Sequence, residues 1–328
     1  MTRPRLSIVM CIYNGAAYLQ QQLDSLLAQT RLPDEIVLSD DGSTDASQDT
    51  LQAFAGQARE LGIKVHLWSN PDNLGYVENF SKALRQATGD VLFLCDQDDV
   101  WRRDKLALMA ARFNDDPQLQ LLHSDARLVD ALGDPLHCTL FDALQLTLDE
   151  KQVIHDGRAF EIVMRRSFVT GATAALRREL VEMALPVAHD WIHDEWLAAV
   201  AAGFGRIDFI DEPLIDYRQH DANQIGMRRR TLMMKWHDLL LPRGKLLSIE
   251  AKRLQRLEDF LAHATFPGAS NRAAQVRHKR THFERRVVIG RLPRYRRLLP
   301  ILGEARAGCY RRYGTGGRSM LRDLLRHD

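Results

Sequence analysis

Three clusters of acidic or amide side chains have the types and spacing needed for ligand chemistry. The densest is segment 96–99 (DQDD), which places three carboxylates within four positions directly after a short apolar run. Segments 40–41 (DD) and 13–14 (YN) each follow a similar apolar run. Carboxylates grouped in this way suit a hard divalent cation, Mg²⁺ or Mn²⁺, that bridges substrate phosphates. The alternative for 96–99 is an acidic helix start, with Trp101 onward as the helix.

A second set of reactive groups lies later in the chain. Asp194 and Glu195 open a predicted helix, where a carboxylate could act as a general base toward a hydroxyl group or simply form an acidic helix start. His220 ends a strand-like run with Arg218 nearby. Its imidazole could bind a metal or a diphosphate, or it could make a structural hydrogen bond.

Apolar runs alternating with amphipathic segments predict the elements that position these groups. Strands are predicted at 6–13, 35–39, 63–68 and 91–95, and helices at 19–27, from the turn at 40–45 to about Leu61, and at 77–87. This alternation predicts right-handed crossovers and a largely parallel, doubly wound α/β sheet flanked by helices. The three polar clusters then lie outside the carboxyl ends of strands, where open α/β sheets bind ligands.

The pattern is looser between residues 119 and 226. Strands are predicted at 168–172, 206–210 and 214–220, and helices at 177–184 and 194–202.

Charge divides the chain into two predicted domains. Residues 227–328 carry 25 Lys+Arg and 8 Asp+Glu, a net charge of +17, whereas residues 1–226 have a net charge of −15. The basic, mainly helical region 227–328 could be a solvated surface, a membrane-surface anchor or a nucleic-acid patch. Basic helices with apolar stripes fit an anionic membrane surface. Nucleic acid ranks last, because the region has few aromatic residues for base stacking.

Several function classes are disfavoured by the sequence. No apolar stretch reaches the ~18 residues of a membrane-spanning helix, and the run at 6–13 lacks a signal-peptide cleavage site. The four cysteines stand far apart, which favours reduced thiols in the cytoplasm. His189 and His193 have the spacing of a zinc pair but lack the HExxH pattern and a third ligand. We therefore expect a cytoplasmic protein that is peripheral on the inner face of the membrane.

Seven motifs are spread over about residues 5–226: 6–14 (LSIVMCIYN), 34–45 (DEIVLSDDGSTD), 73–75 (NLG), 88–90 (TGD), 96–101 (DQDDVW), 193–197 (HDEWL) and 217–220 (YRQH). Taken together, they strongly resemble glycosyltransferase family 2. The last three motifs are similar to a bacterial rhamnosyltransferase-like branch of that family.

The resemblance implies a GT-A fold for residues 1–226 and transfer of a sugar, with inversion, from a nucleoside diphosphate donor, assisted by Mg²⁺ or Mn²⁺. It implies Asp194 as the general base, with Glu195 as its rival because the usual Glu-Asp order is absent. The implied metal ligands are Asp98, Asp96, Asp99 and His220. The implied nucleotide-sugar contacts are Tyr13, Asn14, Asp40, Asp41, Asn73, Asp96 and Arg218.

The sequence thus predicts a transferase that uses a dTDP- or UDP-sugar, with rhamnose as one expected sugar. Its expected acceptor is a lipid-linked or growing cell-surface polysaccharide, which would account for a membrane-seeking basic region. A non-catalytic membrane scaffold with the same fold is one alternative. A sugar-phosphate nucleotidyltransferase is another, disfavoured because Ala16-Ala17 replaces the expected glycine-rich loop.

Overall fold

The computed structural model describes residues 3–220 and 241–326. These residues cluster into two compact units. The first comprises residues 3–159, 168–187 and 192–220, and the second comprises 160–167, 188–191 and 241–326.

The first unit contains a mixed sheet of nine strands among the described residues. The strands are β1 (Leu6–Ile12), β2 (Glu35–Asp40), β3 (Lys64–Ser69), β4 (Val91–Cys95), β5 (Val100–Trp101), β6 (Leu119–Val129), β7 (Pro135–Thr139), β8 (Ala175–Arg177) and β9 (Arg206–Arg218). Their order in the sheet is β3-β2-β1-β4-β8-β6-β9-β5, with β7 paired to β6. Pairing is parallel across β3-β2-β1-β4 and between β6 and β9, and antiparallel elsewhere.

Helices flank this sheet and bury their apolar stripes against it. In α1 (Leu19–Leu27), for example, Leu19, Leu23 and Leu26 are all fully buried, as the i, i+4, i+7 spacing predicts. The other first-unit helices are α2 (Ser47–Glu60), α3 (Tyr76–Gln86), α4 (Lys105–Asp115), α5 (Leu140–Leu144), α6 (Leu148–His155), α8 (Arg178–Ala184) and α9 (His193–Phe204). Only the first residue of α7 (Ala159–Val163) belongs to the first unit, and the rest belong to the second.

The predicted α/β fold is confirmed, and the first four strands and three helices lie within two residues of their predicted bounds. The predicted strand at 168–172 is wrong, because Gly171–Thr173 forms a 3-10 turn and β8 begins only at Ala175. The helix proposed as the alternative from Trp101 is also wrong. Val100–Trp101 pairs with β9 instead, and α4 begins at Lys105. Segment 96–99 is therefore a loop between two strands, not the first turn of a helix.

The second unit is helical and basic, as predicted. Its core includes Ile289, Ile301 and Tyr310, and a buried Arg286–Asp323 pair joined by hydrogen bonds of 2.7 and 3.1 Å. Among the residues described here, no helix is both long and apolar enough to cross a membrane. The helices are α10 (Gly244–His263), α11 (Ala269–Arg291), α12 (Arg294–Arg306), α13 (Cys309–Arg312) and α14 (Gly317–Leu325).

A buried carboxylate, Glu35, ties together the start of the parallel sheet. Its oxygens accept hydrogen bonds from Ser7 Oγ at 2.6 Å, from Thr88 Oγ1 at 2.7 Å and from Lys64 Nζ at 3.2 Å. These partners come from β1, β3 and the segment before β4. Burial alone would raise the pKa of Glu35, but the hydrogen bonds outweigh it and lower the pKa to about 2.

We predict that Glu35→Gln lowers the free energy of unfolding by about 2–3 kcal/mol at pH 7, because it removes charge-assisted hydrogen bonds from a buried site. The folded-state pKa is lowered from 4.5, so this stabilisation is complete above about pH 4.5 and is lost as the pH falls toward 2. Urea denaturation at several pH values measures it, with exposed Glu60→Gln as the control. Equal stability of wild type and Glu35→Gln at pH 7 would contradict the prediction.

Candidate functional site

The candidate site is formed by loops that leave the carboxyl ends of β1, β2 and β4, together with the end of β9. Strands β2, β1 and β4 are parallel neighbours, so the residues that follow them leave the same edge of the sheet. Strand β9 ends at Arg218 and brings His220 to the loop after β4. All the site residues predicted from the sequence lie in the first unit.

The central contact joins Asp98 to His220. The imidazole Nε2 lies 2.7 Å from Asp98 Oδ2, although the two residues are 122 positions apart in the chain. Both side chains are mostly but not completely buried, with 16% and 11% exposed. The ring of Tyr18 stacks on the imidazole with the ring centroids 4.8 Å apart, which fixes the plane in which His220 presents its nitrogen atoms.

Four carboxylates share one electrostatic environment around this pair. Burial, together with the charges of Asp98 and Asp194, raises the pKa of Asp96 to about 7. Burial, followed by the charges of Asp98 and Asp96, raises the pKa of Asp99 well above its usual range. The pKa of the Tyr217 hydroxyl is also raised, first by burial and then by all four of these carboxylates. Such crowding of like charges favours protonation or a bound cation.

A buried lysine lies behind the carboxylates. Lys105 is fully buried in the first turn of α4, and its Nζ donates a 3.0 Å hydrogen bond to the carbonyl oxygen of Ala172. The same Nζ lies 3.6 Å from the centroid of the Trp101 ring. Burial lowers the pKa of Lys105 to about 7, against the opposing effect of Cys95, Asp99 and Asp96. Near neutral pH, Lys105 is therefore only partly protonated, and its positive charge offsets the carboxylates only in part.

Asp194 is held at the start of α9 by the turn that Lys105 anchors. Its Oδ2 accepts a 2.9 Å hydrogen bond from Gly171 N, and its Oδ1 accepts one of 2.7 Å from Glu195 N. A Cβ at Gly171 would lie only 3.3 Å from His193 Nε2 and 3.4 Å from the Asp194 Cβ, so glycine permits this close approach. Glu195 is half-buried in the same helical turn.

The loop after β1 is joined to the loop after β4 by Gln97. The Gln97 side chain accepts from Tyr13 N at 2.9 Å and donates to Tyr13 O at 3.2 Å. A Cβ on Gly15 would come within 2.6 Å of Gln97 Oε1, so any larger residue there would displace the Gln97 side chain. The Tyr13 side chain remains exposed, and Asn14 Oδ1 accepts from Thr44 N at 2.8 Å.

The carboxylates of Asp40 and Asp41 are buried and already hydrogen-bonded to the protein. Asp40 Oδ2 accepts from Ser69 Oγ at 2.7 Å. Asp41 accepts from Asn70 Nδ2 at 2.8 Å and from Gly75 N at 2.9 Å, and Asn73 Nδ2 donates to the Asp41 carbonyl at 3.3 Å. These contacts fix the loops after β2 and β3, while the nucleotide contacts assigned to these residues stay predictions.

Arg218 and Asp99 hold the end of β9 against the loop after β4. Arg218 N donates to Asp99 Oδ1 at 3.0 Å, and its Nε donates to the Asp98 carbonyl at 2.8 Å. Its Nη2 donates to Gln21 Oε1 at 2.8 Å, and the guanidinium is buried beside the Tyr18 ring. Arg218 thus positions the Asp98 loop, and its predicted contact with a diphosphate stays a prediction.

The donor atoms present suit a hard divalent cation. Asp98 and His220 offer an oxygen and a nitrogen 2.7 Å apart, and Asp96 adds a second carboxylate. Asp99 Oδ2 is buried without a hydrogen-bond partner, so this carboxylate has unused acceptor capacity. An oxygen-rich set with one imidazole fits Mn²⁺, and its carboxylates fit Mg²⁺. The Asp98 oxygen and the His220 nitrogen therefore fit two ligands of such a metal, whereas Asp96 and Asp99 as further ligands stay predictions.

A second group of metal-ligating types lies in the helical unit. His282, Glu304 and Cys309 offer atoms within 4.8 Å of one another. Both oxygens of Glu304 are already engaged, by His282 Nδ1 at 2.6 Å and by Arg285 Nη1 at 2.5 Å. This group is therefore a polar contact between helices, in which the Arg285 guanidinium supplies the positive charge that a metal ion would otherwise supply.

Four residues that shape the site were not predicted from the sequence: Lys105, Tyr18, Gln97 and Tyr217. For Lys105 a signal existed, because it falls on the buried stripe of α4 with Leu106, Met109 and Ala110. A lysine at a core position implies a buried negative partner. Tyr18 and Gln97 offered no such signal, since their roles depend on contacts with residues distant in sequence.

Comparison with known proteins places this arrangement in a family. The sequence profile of glycosyl transferase family 2 matches residues 7–183. An uncharacterised glycosyltransferase of Nostoc sp. is 30% identical over 224 residues, which cover 67% of this chain and 66% of that protein. The matches span 59 to 66% of the length of the first curated relatives, so the relatives contain sequence outside the match.

Two solved structures share the fold at low sequence identity. TarS 1–349 of S. aureus, solved in complex with UDP-GlcNAc, is 18% identical with a TM-score of 0.54, covering 97% of this chain and 90% of that one. The mannosyltransferase PcManGT of Pyrobaculum calidifontis, solved with GDP-Man and Mn²⁺, is 19% identical with a TM-score of 0.51, covering 94% and 77%. Because the family profile matches more than half of its length, the chain belongs to glycosyl transferase family 2.

Proposed function

We propose that this protein transfers a sugar from a nucleoside diphosphate donor to an acceptor hydroxyl, assisted by Mg²⁺ or Mn²⁺. The observation that carries the proposal is the Asp98–His220 contact beside Asp96 and Asp194 at the carboxyl edge of the sheet. Family membership supports the reaction class. TarS and PcManGT, which share the fold, were solved with nucleotide sugars, and PcManGT also with Mn²⁺.

The proposed donor site uses the loops after β1, β2, β3 and β4. The exposed Tyr13 ring is the proposed face for a pyrimidine base of a dTDP- or UDP-sugar, and Asp96 is proposed to contact the ribose side of the donor. Asp98 and His220 would hold the cation, with Asp96 and Asp99 as the further carboxylates. When bound, such a cation neutralises charge on the departing diphosphate. Asn14, Asp40, Asp41, Asn73 and Arg218 complete the proposed donor contacts.

Asp194 is the proposed general base. A carboxylate that takes the proton from the acceptor hydroxyl as it attacks the anomeric carbon in line with the diphosphate gives inversion of configuration. Asp194 is favoured over Glu195 because its charge raises the pKa of both Asp96 and Tyr217, which supports a role for it near the proposed metal site. Its hydrogen bond from Gly171 N orients the carboxylate without removing its charge.

The proposed acceptor is a lipid-linked or growing surface polysaccharide, and rhamnose is one proposed donor sugar. Residues 227–328 carry a net charge of +17, which supports the proposal that the acceptor lies at an anionic membrane. We therefore propose residues 1–226 as the transferase domain and residues 227–328 as a membrane-surface region. The proposed location is the inner face of the cytoplasmic membrane.

We predict that Asp98→Asn lowers the rate of sugar transfer by at least about a hundredfold and weakens Mn²⁺ binding, because it removes a charged ligand. Transfer assays with a panel of nucleotide sugars and calorimetric titration of Mn²⁺ measure both effects. Asp49→Asn, an exposed substitution on α2, is the matched control and should behave as wild type. Wild-type Mn²⁺ affinity in Asp98→Asn would contradict the assigned ligand.

A second prediction separates catalysis from binding. Asp194→Asn should bind donor and Mn²⁺ as wild type does but lose about 10²–10⁴-fold in kcat, because only proton removal is affected. Thermal shift with nucleotide and Mn²⁺ reports binding, and initial rates report kcat. Glu195→Gln is the comparison variant, with kcat expected within a few-fold of wild type. The reverse pattern, with loss only in Glu195→Gln, would assign the base to Glu195.

A further inference from the structure

Helix α12 carries an apolar stripe on its outer face. Tyr295 is 79% exposed, Leu299 80%, Leu298 52% and Leu302 36%. Their spacing, i, i+3, i+4 and i+7, puts all four on one side of the helix. Single exposed leucines are ordinary on protein surfaces, but four large apolar side chains on one helical face form a contiguous patch of the kind that marks a docking surface.

The opposite face of α12 holds the helix in this orientation. Arg297, Ile301 and Glu304 are buried in the second unit. The Arg297 guanidinium donates to the carbonyl oxygen of Gly290 at 2.6 Å and to that of Leu292 at 2.7 Å. Rotating the helix to bury the leucines would break these contacts and expose Ile301. The outward apolar stripe is therefore a built feature of the second unit.

Arginines border the stripe on both sides. At about 100° per residue, Arg294 and Arg296 project to either side of Tyr295. Both are exposed, as are Arg291 just before the helix and Arg306 at its end. The only acidic residue of α12 is Glu304, which is buried and paired with His282 and Arg285. Every exposed charge on the helix is therefore positive.

We propose that the outer face of α12 docks in the plane of an anionic lipid bilayer, with Tyr295, Leu298, Leu299 and Leu302 inserted among the lipids. Arginines on both sides of an apolar stripe match lipid headgroups above a hydrocarbon layer. A second copy of the chain fits less well as the occupant. A two-fold contact would bring the arginines of both copies together, and the helix has no exposed acidic residue to pair with them. This inference rests on the proposed function and names the surface through which the enzyme reaches a lipid-linked acceptor.

The test is sedimentation of the full chain with vesicles of phosphatidylethanolamine and phosphatidylglycerol, compared with vesicles of phosphatidylcholine. Wild type should bind the anionic vesicles preferentially, and binding should weaken with added salt. The double variant Leu298→Glu/Leu299→Glu should lose about tenfold or more in partition coefficient, since it replaces inserted apolar groups with charges. Arg296→Gln should lose less, because it removes one positive charge and leaves the apolar stripe intact.

The matched control is Leu148→Glu, which changes a leucine that is 82% exposed at the start of α6 in the first unit. It should sediment as wild type does. Thermal melting and Mn²⁺-dependent nucleotide binding should be unchanged in all the variants, because the substituted positions are exposed and outside the candidate site. If the double variant loses vesicle binding but keeps nucleotide binding, the result assigns membrane binding to this surface. If the wild type fails to bind nucleotide, the result contradicts the proposed function and not the docking surface.

Two results would overturn the proposal. One is equal sedimentation of wild type and the double variant, including the case in which neither binds anionic vesicles. The other is a fall from dimer to monomer in the double variant, measured by light scattering, with vesicle binding retained. That result would assign the face to a second copy of the chain.

Discussion

Crowding of like charges at the carboxyl edge of the sheet is the constraint on which the rest of the site depends. Asp96, Asp98, Asp99 and Asp194 act on one another in a largely buried region, where their repulsion is poorly screened. The protein offsets part of this cost with the buried ammonium group of Lys105 and with raised pKa values at two of the carboxylates. The remaining negative charge supports the proposal that the site binds a cation.

The sheet makes this crowding possible by joining distant parts of the chain at one edge. Parallel pairing of β2, β1 and β4 aligns the first three loops, and pairing of β5 with β9 brings Tyr217 and His220 to the loop after β4. Small contacts then fix the geometry. Gln97 joins the loops after β1 and β4, and Gly171 allows the turn held by Lys105 to approach Asp194.

Much of the first half of the fold was predictable, because its strands are apolar runs and its helices have clear stripes. Prediction failed where tertiary contacts override local pattern. Residues 168–172 are apolar enough for a strand, yet Gly171 is held in a tight turn by the carboxylate of Asp194. The acidic clusters could be recognised in the sequence as candidate ligand groups. The sequence did not reveal that Asp41 and Arg218 form hydrogen bonds with neighbouring loops, or that the amine of Lys105 is buried close to the site.

In the proposed site, Asp98 and His220 hold one cation against a diphosphate. Pulsed electron paramagnetic resonance of the full chain with Mn²⁺ and a nucleoside diphosphate can detect both neighbours of the ion. We expect ³¹P coupling from the nucleotide and ¹⁴N coupling from an imidazole on the same Mn²⁺, with the nitrogen coupling lost in His220→Gln. A spectrum of Mn²⁺ with phosphorus coupling alone, or with no protein-bound ion, would contradict it.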